Sequence, residues 1–73
     1  MGEKLPVVKP KEVAKALLKV GFIKKRQTGS HLILYRNGKI VPIPMHNKDL
    51  KKGTLKSMIK QSGLSLKEFI KLV

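Results

Sequence analysis

One histidine stands at the start of an apolar run in the middle of the chain. Residues 26–36 read RQTGSHLILYR, so His31 follows directly on the small residues Gly29 and Ser30. A glycine next to a serine is typical of a turn, and the apolar alternation that follows is typical of a β-strand. Imidazole gives and takes protons near neutral pH, which makes His31 the first candidate for chemistry.

An RNA substrate would bring its own nucleophile to such a histidine. A neutral imidazole can accept the proton of a ribose 2′-OH, and the oxygen then attacks the neighbouring phosphate. Nearby cations would stabilise the charge on the phosphorane, and three of them precede the turn: Lys24, Lys25 and Arg26. Backbone amides at Gly29 and Ser30 can hold a phosphate. The residues alone leave an alternative open, in which His31 is a hydrogen-bonded turn histidine with no catalytic role.

Other catalytic chemistries find little support in the residue types. The chain has no cysteine, and its two histidines, His31 and His46, are fifteen residues apart. Its four acidic residues are scattered: Glu3, Glu12, Asp49 and Glu68. Neither a metal-ligand set nor a carboxylate pair follows from this spacing, and glycine-rich phosphate motifs are absent. We expect no metal ion and no cofactor.

The charge of the chain points to a polyanionic partner. Seventeen lysines and arginines against four acids give a net charge of +13 over 73 residues, enough for one domain spanning 1–73. Nucleic acid is favoured over a membrane surface, although a lysine-rich solvated surface is the plain alternative. No segment has the length of a signal peptide's apolar region or of a membrane span, so we expect a cytoplasmic protein.

The apolar pattern predicts an α+β domain. The segment PKEVAKALLKVGF predicts a helix that begins at Pro10, buries Val13, Leu17 and Val20 with Ala14 and Leu18 beside them, and ends at Gly21. Three strands follow, predicted at 23–27, 31–36 and 39–44. Two short C-terminal helices complete the order, the first ending at Gly63 and the second capped by Ser65 and Glu68. We expect the helices to cover one face of the three-stranded antiparallel sheet.

A hairpin turn at Asn37-Gly38 fixes which residues share a face of the sheet. A two-residue type I′ turn pairs Arg36 with Lys39 and, further along, His31 with Pro44. One face is then aliphatic, with Leu32, Leu34, Val41 and Ile43. The other face carries His31, Ile33, Tyr35, Ile40, Pro42 and Pro44. We therefore expect a core on the first face, an open second face, and a third strand kept at the sheet edge by its prolines.

The candidate RNA contacts combine cations, the turn and one aromatic residue. They are Lys24, Lys25, Arg26, Gly29, Ser30, Tyr35, Lys48, Lys51, Lys52 and Lys56. Tyr35 lies roughly 13 Å along the strand from His31, so it either stacks a base further along the RNA or fills the sheet face beside Ile40. For His46 we favour a structural role, with a second catalytic histidine as the alternative.

Taken together, these motifs resemble the HicA toxin family of toxin–antitoxin systems, also called YcfA-like proteins. They are the G-S-H junction, the hairpin, V-P-x-P-x-H, K-x-L-x-x-G-T-L and Q-x-G-L-S-x-x-E-F, and the match runs from Val13 onward. The resemblance implies a double-stranded-RNA-binding-domain-like fold, metal-independent mRNA cleavage and inhibition by a HicB antitoxin. It also implies that the histidine of G-S-H, here His31, is the catalytic residue.

Two non-enzymatic functions stay open beside this one. The C-terminal LKSMIKQSGLSLKEFIKLV has the appearance of a DNA-binding helix-turn-helix. Its second helix offers Lys67, Glu68 and Lys71 but no Asn, Gln or Arg to read base edges. The other alternative is an RNA-binding module that does not cleave.

Overall fold

The computed structural model describes residues 5–73 and has the predicted α+β order of elements. The elements are α1 (Pro10–Lys19), β1 (Ile23–Thr28), β2 (His31–Arg36), β3 (Lys39–Pro44), α2 (Lys52–Ser62) and α3 (Leu66–Leu72). The predicted first strand is one residue too short, since β1 continues through Thr28. Glu3 and the first residues considered for a targeting signal lie outside the described residues.

Helix α1 ends as the glycine at position 21 predicts. Gly21 has φ 101°, and its amide donates to the Leu18 carbonyl at 3.2 Å. The Phe22 amide donates to the Leu17 carbonyl at 3.1 Å, which completes a Schellman motif. Leu18 was wrongly predicted to be part of the apolar stripe and is 47% exposed. It lies about 100° round the helix from Leu17, away from the core.

The sheet has the order β1-β2-β3, and the predicted register of β2 against β3 is confirmed, from Arg36 opposite Lys39 to His31 opposite Pro44. Asn37 and Gly38 both have positive φ, 47° and 79°, as a type I′ turn requires. Such a turn suits the right-handed twist of the two strands it joins.

The prolines of β3 occupy positions where they cost no bond to β2. Beyond the strand, the Met45 amide donates to the Ser30 carbonyl at 2.6 Å, so Ser30 and Met45 form a hydrogen-bonded pair. Antiparallel pairs alternate between bonded and non-bonded, which makes the pairs of Pro42 and Pro44 non-bonded ones. Their missing N–H groups would have pointed away from β2. Proline is therefore compatible with this edge strand.

All three helices pack on the aliphatic face of the sheet. Leu34, Val41 and Ile43 of that face are completely buried, and Leu32 is nearly so. They belong to one hydrophobic cluster with residues of α1, α2 and α3, among them Leu17, Leu55, Met58 and Phe69. The predicted core face is thus confirmed, and the opposite sheet face has no helix among residues 5–73 to cover it. In the same range no helix has the length and apolar content needed to cross a membrane.

Helix α2 ends and helix α3 begins at the predicted caps. Gly63 ends α2 in the left-handed conformation, with φ 79°. At the start of α3, the Ser65 hydroxyl accepts from the Glu68 amide at 3.1 Å, and a Glu68 carboxylate oxygen accepts from the Ser65 amide at 2.9 Å. The bond from the Ser65 amide lowers the pKa of Glu68, because it stabilises the ionised carboxylate. Protonating Glu68 therefore weakens the cap, so this contribution to stability is lost as the pH falls through its folded-state pKa.

The register can be tested with one substitution made on both faces of β3. Ile43→Val removes a methylene group from a completely buried side chain and should lower the free energy of unfolding by about 0.5–1.5 kcal/mol. Ile40→Val is the matched control on the same strand, where the side chain is 46% exposed, and it should stay within about 0.5 kcal/mol of the wild type. Urea denaturation measures both. Equal losses at the two positions would contradict the assignment of faces.

Candidate nucleic-acid interface

The sheet face opposite the helices brings His31 together with apolar and cationic residues; we call it the outer face. Its residues from β2 and β3 are His31, Ile33, Tyr35, Ile40, Pro42 and Pro44. The register of β1 adds Ile23, Arg26 and Thr28, which pair with Tyr35, Ile33 and His31. Ile33, Tyr35 and Pro44 are half-buried, and the other residues of this face, His31 among them, are exposed. The structure therefore confirms the prediction that this face of the sheet is open.

A β-bulge in β1 places two adjacent cations on the outer face. Lys24 pairs with Leu34 and Arg26 with Ile33, which leaves Lys25 as an extra residue without a partner. A bulge of this kind interrupts the alternation of side chains and re-aims them. The Lys25 ammonium accordingly lies over the Tyr35 ring, with Nζ 5.3 Å from the ring centroid. A cation at this distance is attracted to the face of the ring.

The two cations border a shallow depression in the middle of the outer face. Lys25 and Arg26 form one side of it, Ile33 its floor, and Ile40 and Pro42 the other side. Along β2, His31 lies two residues before Ile33 and Tyr35 two residues after it. The depression therefore lies between the histidine and the tyrosine, with an apolar floor and a cationic rim. A base or ribose fits such a surface, while a phosphate fits its rim.

His31 lies at the end of the sheet, with β1 on one side of it and β3 on the other. Thr28 is its partner on β1 and Pro44 its partner on β3. Gly29 in the preceding turn has φ 53°, and a side chain there would meet no atom within 4 Å. The space beside the turn is therefore open to a ligand. The Ser30 carbonyl is occupied by the Met45 amide, which holds the turn in place.

His46 lies close to the same end of the sheet, which sequence spacing alone does not reveal. The bond from Met45 to Ser30 continues the pairing of β2 with the chain beyond β3. Met45 packs against the core cluster, whereas the next residue, His46, is exposed. The Nδ1 atom of His46 accepts a hydrogen bond from the Lys48 amide at 3.1 Å. The signal for this proximity is the hairpin register, extended by two residues.

The other predicted RNA contacts do not share the outer face. Lys24 pairs with the inward-facing Leu34, so its side chain leaves β1 on the helix side, although it is exposed there. The remaining lysines lie in the loop after β3 and at the start of α2: Lys48, Lys51, Lys52 and Lys56. The loop leaves the sheet end near His46 and reaches the helical layer at Leu50, whose amide donates to the Val8 carbonyl at 2.9 Å. The predicted set therefore forms two cationic surfaces, one on the outer face and one along the loop and the start of α2.

A known protein family matches most of this chain. The profile described as the HicA toxin of bacterial toxin–antitoxin systems matches residues 10–64 of the 73-residue chain. That range includes α1, the whole sheet, both histidines and α2. The comparison with curated proteins gave no match.

The charge around Tyr35 can be measured by its own fluorescence. Tyr35 is the chain's one tyrosine, and the chain has no tryptophan. Because Lys25 and Arg26 give this surface a positive potential, iodide should quench Tyr35 more strongly than caesium does. Lys25→Gln should narrow that difference markedly. Lys15→Gln, on α1 behind the sheet, is the matched control and should change it little. Equal effects of the two variants would show that only the total charge of the protein matters.

Proposed function

Because the chain belongs to the HicA toxin family of bacterial toxin–antitoxin systems, we propose that it cleaves mRNA without a metal ion and that His31 is the general base. The observation that carries the proposal is the position of His31. It is an exposed imidazole at the start of a strand, next to an open turn and on the same face as Lys25 and Arg26. An RNA strand lying on this face would bring its ribose 2′-OH to the imidazole.

In the proposed reaction the substrate supplies both the nucleophile and the leaving group. The imidazole of His31 takes the proton of a 2′-OH, and the 2′-oxygen forms a bond to the adjacent phosphorus. The bond from phosphorus to the 5′-oxygen of the next nucleotide breaks, that oxygen takes a proton from solvent water as it leaves, and His31 returns its proton to solvent. The products are a 2′,3′-cyclic phosphate and a 5′-hydroxyl. No oxidant, reductant or second substrate is needed.

Arg26 is the cation that we assign to the reacting phosphate. It lies two residues before Thr28, the cross-strand partner of His31, so it is a diagonal neighbour of the histidine on the same face. Such neighbours lie about 7–8 Å apart, a gap that a long side chain and a phosphate together can fill. A guanidinium binds phosphate oxygens with two parallel hydrogen bonds, and its charge would stabilise the phosphorane.

The depression and the second cationic surface would hold the rest of the strand. We propose that a base lies on Ile33 and Pro42, with Lys25 and Tyr35 contacting the next nucleotide. Tyr35 stacks a base only if the Lys25 ammonium moves from its ring, so its alternative role in filling the sheet face stays open. On the other side of His31 the strand would pass the Gly29-Ser30 turn toward the lysines of the loop and α2: Lys48, Lys51, Lys52 and Lys56.

Replacing His31 tests the catalytic assignment. His31→Ala removes an exposed side chain, so it should change the free energy of unfolding by less than about 1 kcal/mol. RNA affinity should stay within a few-fold, whereas cleavage should fall by at least about 10²-fold. The control is Thr28→Ala, which alters the exposed cross-strand neighbour and should keep activity. Chelator should leave the wild type active, and a 2′-deoxy residue at the scissile position should make the RNA resistant. A His31→Ala protein that cuts RNA well would make the histidine structural.

Salt dependence tests the electrostatic part of the proposal. Each phosphate neutralised on a single strand contributes a slope of about −0.7 to log K against log salt, and we expect at least about four such contacts. Lys25→Gln should make the slope less steep by about 0.7, the contribution of one phosphate contact. Lys15→Gln should leave the slope unchanged. A nearly flat titration would contradict the proposal. Stronger binding to duplex DNA than to RNA, without RNA cleavage, would favour the helix-turn-helix alternative.

The partner that we propose is a HicB-like antitoxin that covers the outer face. Ile40 is 46% exposed there beside Pro42, so the face offers apolar anchors within a cationic rim. A partner with an acidic surface and an apolar anchor would suit it and would keep RNA from His31. Co-expression should relieve growth inhibition, and hydrogen exchange should slow in peptides covering 31–44. Slowing confined to 52–72 would place the partner on the helices.

A further inference from the structure

We propose that His46 donates a hydrogen bond from Nε2 to a non-bridging oxygen of the phosphate that His31 acts on. The inference rests on the proposed RNA cleavage and assigns a distinct role to the second histidine. In this account His31 transfers a proton, whereas His46 donates a hydrogen bond to the negatively charged phosphate.

The position of His46 follows from the pairing at the end of the sheet. His31 lies opposite Pro44, and His46 is two residues beyond Pro44 on the same chain. Between them, Met45 turns inward to the core and bonds to the Ser30 carbonyl, which fixes the path of the segment. Because the Met45–Ser30 bond continues the pairing beyond β3, we expect His31 and His46 to have the spacing of diagonal neighbours in an antiparallel pair, about 7–8 Å. A phosphate group placed between the two imidazoles fills that distance.

The hydrogen bond to His46 decides which nitrogen carries its proton. The Lys48 amide is an obligatory donor, and it lies 3.1 Å from Nδ1, so Nδ1 must accept and cannot carry hydrogen. In the neutral imidazole the proton is then on Nε2, at the far end of the ring. His46 is exposed, so this N–H is directed to where a ligand can reach it. The loop therefore presents the Nε2–H of His46 as a hydrogen-bond donor even when the imidazole is neutral.

A donor of this kind is useful where negative charge grows. The attack of the 2′-oxygen turns the phosphate into a phosphorane with more charge on its non-bridging oxygens. A donor already held in place stabilises that charge without reorganising during the reaction. Arg26 would approach the phosphate from β1 and His46 from beyond β3, on the two sides of His31. The sheet register holds His31 and Arg26 together, and the Met45–Ser30 hydrogen bond ties the segment before His46 to the same end of the sheet.

The competing explanation is that His46 only shapes its loop, by accepting the bond from Lys48. Two substitutions separate the explanations. Asn places an acceptor near the position of Nδ1 but has no atom near that of Nε2, so His46→Asn keeps the loop bond and loses the donor. His46→Gln places an amide N–H₂ near the position of Nε2 and can donate there.

The experiment measures cleavage of one oligoribonucleotide by the wild type, His46→Ala, His46→Asn and His46→Gln. If His46 binds the phosphate, Ala and Asn should each lower kcat by about 10²-fold with a smaller change in KM, and Gln should recover most of the loss. If Asn retains full activity while Gln does not, His46 is a loop residue and the proposal is wrong. Full activity in all three variants also overturns it.

A second measurement does not depend on turnover. The side-chain ¹⁵N resonances of His46 should show a protonated Nε2 in the free protein. On adding the same strand with a 2′-deoxy residue at the scissile position, the Nε2–H signal should shift, and the Nδ1 signal much less. An unchanged Nε2–H signal at saturation overturns the contact. A wild type that binds this strand but cuts no RNA overturns the proposed function, and the His46 contact is then decided by the Nε2–H signal alone.

Discussion

The β2–β3 register is the constraint on which the rest of this molecule depends. A two-residue turn at Asn37-Gly38 pairs residues 31–36 with residues 39–44, and a shift by one residue would turn one of these strands over relative to the other. Leu34 and Val41 would then lie on opposite faces, so that one of these aliphatic side chains would face solvent. The hydrophobic effect therefore fixes the register, since only one pairing buries the aliphatic side chains. The placement of His31 on the open face is a consequence of that burial.

The same arrangement explains why a small domain can leave one sheet face open. A chain of 73 residues has a thin core, and here all three helices pack on the same side of the sheet. The outer face remains exposed with Ile40, Pro42 and the half-buried Ile33 and Tyr35. The bulge at Lys25 adds positive charge at the border of this apolar area. The combination keeps the surface solvated in the free protein and suits a ligand with both bases and phosphates.

The sequence was informative wherever short-range chemistry decides the structure. The type I′ turn, the Schellman motif at Gly21, the Ser65 and Glu68 cap and the aliphatic face all follow from local residue types. The bulge does not, because β1 reads IKKRQT and no apolar alternation marks the extra residue. The sequence therefore placed Lys24 with Lys25 and Arg26, whereas the register separates it from them. The position of His46 near the His31 end follows only if the hairpin register is extended two residues beyond β3, where the Met45 amide bonds to the Ser30 carbonyl. The roles of both histidines in cleavage remain predictions.

The chemical identity of the cleaved ends tests the central claim most directly. If His31 activates the ribose 2′-OH, the upstream fragment must end in a 2′,3′-cyclic phosphate, or in the phosphate monoester formed by its hydrolysis, and the downstream fragment in a 5′-hydroxyl. Mass spectrometry of a short oligoribonucleotide cut by the purified protein distinguishes these ends from all others. We expect the cyclic phosphate and the 5′-hydroxyl. A 5′-phosphate with a 3′-hydroxyl would show that water or another external nucleophile attacked the phosphorus, and it would contradict the account given for His31.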